Sequence, residues 1–317
     1  MVEMSTTEPE PPPEAPEKQS ADDPEVRFQA LLDYAASVGA LSDQLLIDLG
    51  KNVSLQRDDL PDALLLELLT LSRLQFEATC HDLAHPWFSH AAATHLRPVL
   101  EGMAHIAFVL GHETYAPLGT SQQRATCLAL ARAREEYQAM ADADPKTMAA
   151  GNPAEGLKRV QFYEELHDRV GCPYIEDPRA WPCRKDDNTP CDHRSAWPCR
   201  QKRASPRMLT SPTMRLLSKR LSFNFREVEQ ASALVLHLML WDRMMVDTGE
   251  GTNALTNATY SSRAATLAMA LSAFGECIVW VMETVNALAA HVLGDYIKAM
   301  WDKPDMVEIG TGAWDRA

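Results

Sequence analysis

The stretch RDDLPDALLLELLTLSRLQFEATCHDLAH, residues 57–85, settles the reading of the fold. Leu64, Leu68 and Leu71 recur at helical spacing along one stripe, and Leu65, Leu69 and Phe76 widen it. Asp58 and Asp59 put negative charge where a helix N-terminus favours it. Pro61 suits a first turn, where its missing N–H would have had no partner anyway. The spacing predicts a long helix with one apolar side, which must be hidden against other such helices.

Working outward, the same period returns in HLRPVLEGMAHIAFVLG, residues 95–111. There Leu96, Val99, Leu100, Met103, Ile106, Ala107 and Leu110 repeat every three or four residues until Gly111 stops them. Further helical patterns run approximately over Glu25–Leu49, Ser121–Ala143, Pro153–Val170, Phe225–Val246 and Ser261–Leu293. No strict two-residue alternation is long enough for a sheet. The expected fold class is all-α: a multi-helix bundle with a long, irregular Cys/Pro-rich insertion. The expected organisation is a disordered, acidic, Pro-rich tail over 1–24, one bundle over 25–303 with the insertion at 171–212, and a C-terminal tail over 304–317.

Composition narrows the function. A chain of 317 residues with 46% hydrophobic content can bury a substantial core, and its net charge of −14 repels polyanions unless positive charge is segregated. The first residues contain neither an apolar signal core nor an Arg-rich amphipathic stretch. The most apolar region, Ala264–Leu293, is broken by Glu276 and Glu283, and its longest charge-free run of 12 residues is short for a membrane span. These features lead us to expect a cytoplasmic protein with no membrane partner, in which thiols stay reduced.

The segment CPYIEDPRAWPCRKDDNTPCDHRSAWPCR, residues 172–200, concentrates potential ligands. Cys172, Cys183, Cys191, His193 and Cys199 could form a tetrahedral zinc site, because thiolates and imidazole are preferred zinc ligands and four suffice to knot a loop lacking a core. The spacing contains no C-x-x-C pair, and the repeated AWPCR phrase is equally explained by a local duplication in a reduced, metal-free loop. The charge then changes sign. Nine basic residues and no acidic one fall between Arg194 and Arg226, among them Arg200, Lys202, Arg203 and Arg207. Beside Trp197, such a patch could meet phosphates and stack a base, or it could dock on the chain's own carboxylates.

The histidines pose a second question, since His81 and His85 stand four apart with Glu77 one turn back. Pro86 ends that helix, and only one Glu-x-x-His motif exists, Glu164 to His167, where a solvent-facing helix side is the simpler reading. A different row lies on the proline-containing helix. Arg97, Glu101 and His105 recur at four-residue steps beside the apolar stripe, either as a surface ion pair or as a polar row turned inward by a bend at Pro98. Glycine-loop, G-x-S-x-G and H-E-x-x-H signatures are absent from the sequence.

The order of LRPVLEGMAHIAFVLG (96–111), RATCLALARAREEYQAM (124–140) and FNFREVEQASALVLHLML (223–240) resembles uncharacterised prokaryotic helical proteins distantly similar to the HEPN superfamily, over roughly Leu65–Leu240. The resemblance implies a helical bundle in a prokaryotic stress or defence setting, with Arg97, Glu101 and His237 as its catalytic positions. HEPN ribonucleases carry a histidine closely following an arginine on one helix. Here seven residues separate Arg97 from His105 and ten separate Arg226 from His237, which argues against joint presentation of the two groups.

Three functions are therefore expected, in this order. The first is a binding protein without ordinary enzyme chemistry, engaging a protein partner or a second copy through the apolar C-terminal helix bearing Trp280. The second is a nuclease or metal-dependent enzyme built on Arg97, Glu101 and His237 or on the 81–105 histidines. The third is a zinc-braced nucleic-acid contact.

Overall fold

The computed structural model describes residues 24–52, 60–85, 91–112, 119–143, 152–171, 205–220, 228, 245–247, 253–255 and 260–285. Among these, seven helices pack together: α1 (Pro24–Asn52), α2 (Leu60–Ala84), α3 (Ala92–Leu110), α4 (Ser121–Asp142), α5 (Pro153–Val170), α6 (Pro206–Arg220) and α7 (Tyr260–Val285). A short antiparallel pair, β1 (Met245–Asp247) and β2 (Asn253–Leu255), has Met245 opposite Leu255. The fold is the expected all-α bundle.

α2 and α3 form its centre. α2 lies chiefly on α3, while α7 crosses both and also meets α1; α4 leans on α5, and α6 covers part of α3. The core runs from Phe28 in α1 through Leu69 and Phe76 in α2 and Leu100 and Ile106 in α3 to Phe274 and Trp280 in α7. Phe76 and Phe274 stack with ring centroids 4.6 Å apart. Burial of this continuous apolar surface is the main term favouring the fold.

The stripe on α2 differs from expectation at one position. Leu71 is 45% exposed, and the inward row instead passes through Ser72, at 2%. The cause is the close approach of α3: a Cβ added at Gly102 would stand 2.1 Å from the Ser72 Oγ, so the crossing admits only a small residue on each side.

Local signals explain the ends. Gly111 takes φ 73°, with Gly111 N–H bonded to the Phe108 carbonyl at 3.2 Å and His112 N–H to Ala107 at 2.9 Å, the left-handed stop expected there. Thr120 and Gln123 cap each other at the start of α4, and Asn152 with Pro153 opens α5. α3 continues unbroken through Pro98.

Two buried arginines hold helix C-termini. Arg124 donates from Nε to the Val109 carbonyl at 3.1 Å and from Nη1 to Gly119 at 2.6 Å, and its burial lowers its pKa from the ordinary arginine value. Arg263, on α7, does the same for Leu83 at the end of α2.

Three sequence readings need correction. α6 begins at Pro206, so 206–212 is helical rather than part of the irregular insertion; Pro206 opens the helix, where proline is tolerated. Met245 and Val246, expected at the end of a helix, lie in β1. Finally, His167 is buried at 3% instead of facing solvent, while Glu164 bonds Arg134 at 2.8 Å. α7 is long and apolar enough to cross a membrane by length and composition over Arg263–Glu283, and 56% of that window is buried inside the bundle. Trp280 is 2% exposed and stacks on His112 at 4.7 Å, so this chain itself covers the ring expected on a dimer face.

Candidate functional site: a polar cleft between three helices

α3, α4 and α6 enclose a cleft of about 470 Å³, the size of a small-molecule site. Arg97, Glu101 and His105 line one side, exactly one helical row from α3. Arg132, Glu135 and Glu136 come from α4, and Ser205, Pro206 and Arg207 from the start of α6. Helical spacing explains the row: residues four apart lie above one another, and the apolar stripe holds α3 with that row towards α4.

Arg97 and Arg132 are each held on one edge. Arg97 Nε donates to Glu101 Oε1 at 3.1 Å, with the two side chains only 26% and 28% exposed. Arg132 pairs through Nη2 with Glu67 of α2. No other hydrogen bond or ion pair is made by Arg97 or Arg132 among the described residues, so Nη1 and Nη2 of the first and Nε and Nη1 of the second are uncommitted donors. Glu136 is held by Arg159 at 2.9 Å, whereas Glu135 is exposed and has no ion pair among the described residues.

His105 makes no hydrogen bond among the described residues. Burial, assisted by the positive charge of Arg132, pushes its pKa down to about 4. At neutral pH it is an uncharged imidazole. It can donate one hydrogen bond and accept another, and it lacks the imidazolium proton that a general acid gives up.

The site gathers some expected residues and omits others. Arg97 and Glu101 sit together as the surface-pair and inward-row readings both required. Arg207, expected on a nucleic-acid patch, stands at the cleft rim. His237, Arg200, Lys202, Arg203, Cys172, Cys183, Cys191, His193 and Cys199 all lie outside the described residues. Arg97 and His105 line one cleft as members of the four-residue row read from the sequence, with Glu101 between them. Arg132, Glu135 and Glu136 were not singled out from the sequence; their clustering in RAREE was the available signal.

The other histidines form a looser group. Asp82 lies 3.5 Å from both His81 Nδ1 and His95 Nε2, and His95 Nδ1 is 2.9 Å from Gln75 Oε1. Glu77 is taken by Arg73 at 2.9 Å. Among the described residues, no set of three or more His, Cys, Asp or Glu side chains has the placement to hold a metal ion. Two described thiols are poor nucleophiles: burial pushes Cys80 up to about 12 and Cys277 higher still.

No protein-family model, curated protein or solved structure matches this chain.

Proposed function

We propose that this chain is a helical-bundle binding protein and that the cleft between α3, α4 and α6 is where it holds a small polar ligand. The reading rests on one observation. Arg97 and Arg132 are each anchored by a carboxylate on one edge, keep uncommitted donors, and both line a cleft of small-molecule size. Anchoring removes rotamer freedom before binding, so less side-chain entropy is lost when a ligand meets them.

A second reading, phosphodiester cleavage, is favoured by the presence of Arg97 and His105 on the same cleft. Against it stands the neutral imidazole, since a group with pKa near 4 is a poor general acid at pH 7. Glu101, Glu135 and Glu136 would also oppose an approaching nucleic-acid backbone. Binding without turnover is the better-supported function, and the stress or defence setting remains a proposal from the resemblance.

The test is a thermal-shift screen of small polar metabolites at about 10 mM against the full chain, where ligand binding to the folded state raises Tm. At least one compound is expected to stabilise the parent and to lose that effect in both Arg97→Gln and Arg132→Gln. A screen with no stabilising compound, or one whose effect survives both substitutions, would remove this reading.

A further inference from the structure

The balance of charge in the cleft narrows the ligand class, given the binding reading above. Three arginines, Arg97, Arg132 and Arg207, face three glutamates, Glu101, Glu135 and Glu136. Two of the glutamates are engaged, Glu101 by Arg97 and Glu136 by Arg159. Glu135 is not engaged among the described residues, and it stands on α4 one turn after Arg132.

That spacing carries the argument. Side chains three apart on a helix have Cβ atoms about 5–6 Å from one another. Arg132 does not use its neighbour; it turns to Glu67 on α2, leaving cationic donors beside a carboxylate that has no ion pair among the described residues. An anion seated on the free edges of Arg97 and Arg132 would therefore have Glu135 close by, repelling it. A cation seated on Glu135 would have the two guanidinium groups close by. A molecule carrying both charges a few ångströms apart satisfies each group and leaves none opposed. His105, uncharged, adds a hydrogen bond without tipping the balance.

We infer that the cleft selects a small dipolar molecule, with its carboxylate or phosphate on Arg97 and Arg132 and its ammonium on Glu135. The choice between the two oxyanions is left to the experiment's arms, because a guanidinium fork accepts either.

Calorimetric titration of the full chain compares γ-aminobutyrate with butyrate, and O-phosphoethanolamine with ethyl phosphate; ethanolamine serves as the cation-only probe. One dipolar probe is expected to bind at least about tenfold more tightly than its anion-only counterpart, with ethanolamine weaker still. Glu135→Gln, at an exposed position, is expected to abolish that preference while retaining anion binding. Equal binding of the dipolar and anion-only probes overturns the inference but leaves a ligand-binding cleft. Failure of all five probes, alongside a metabolite found by the thermal-shift screen, also overturns it; failure of both experiments removes the binding reading as well.

Discussion

Arg263 of α7 donates twice to the carbonyl of Leu83, from Nε at 3.1 Å and from Nη2 at 2.9 Å, joining residues 180 positions apart. Its remaining amino group bonds both oxygens of Glu25, at 2.7 and 3.0 Å, and the guanidinium lies 4.1 Å from the centre of the Phe28 ring. One side chain thus closes the end of α2 and fastens α7 to α1. Arg263→Met is expected to destabilise the fold by about 3 kcal/mol, because a buried carbonyl loses its donors. Glu25→Gln should cost less than about 1 kcal/mol, since Glu25 is 59% exposed and its pair is screened by water. Urea denaturation of both variants checks the contrast; equal losses would contradict it.

The crossing of α2 and α3 makes a second prediction. Among the described residues, Ser72 Oγ is buried without a hydrogen-bond partner, and it stands where a side chain on Gly102 would have to go. Gly102→Ala should cost about 1–3 kcal/mol through overpacking. Ser72→Ala alone should be neutral or slightly stabilising, because it removes an unpaired hydroxyl. In the double variant much of the Gly102→Ala cost should vanish, since the two Cβ atoms would then be 3.4 Å apart, an accommodating distance. Additive losses in a double-mutant cycle would show that the hydroxyl is not the obstacle.

The architecture was legible because apolar period and end signals agree. Gly111 closes α3 as its position suggested, and the α4 and α5 spans end within a residue of the sequence reading. Leu71 was misplaced because periodicity alone cannot register a neighbouring glycine that comes close enough to favour Ser72. The cleft was half legible. A four-residue recurrence marked Arg97, Glu101 and His105, but their partners are on α4 and α6, and pairing between helices distant in sequence leaves no local period. The same limit hid Glu67, whose tie to Arg132 leaves Glu135 without an ion pair among the described residues.

Thiol reactivity tests the packing of the three described cysteines. Cys127 and Cys277 are buried and Cys80 is partly so, with burial raising the pKa of Cys80 to about 12 and that of Cys277 further. Since the thiolate is the reacting species, alkylation at these three positions should be negligible at pH 8 in the folded protein and rapid in denaturant. Mass-spectrometric mapping of labelled peptides reads this site by site. Fast native labelling of Cys277 would contradict the placement of α7 inside the core.

His105 ties stability to pH with a definite sign. Its folded-state pKa is near 4 against an ordinary value of 6.5, so the unfolded chain binds the proton first. Stability from the neutral imidazole is present above pH 6.5 and is lost as pH falls towards 4, where the accumulated loss reaches about 3 kcal/mol. His105→Gln keeps a polar group that does not titrate, and it should flatten the stability profile over that window. Urea titrations of parent and variant at pH 7.5, 6 and about 4.5 give the slope directly. The parent should lose more stability than the variant between the first and last of these, and parallel profiles would mean that the imidazole takes up its proton inside the folded cleft as readily as it does in water.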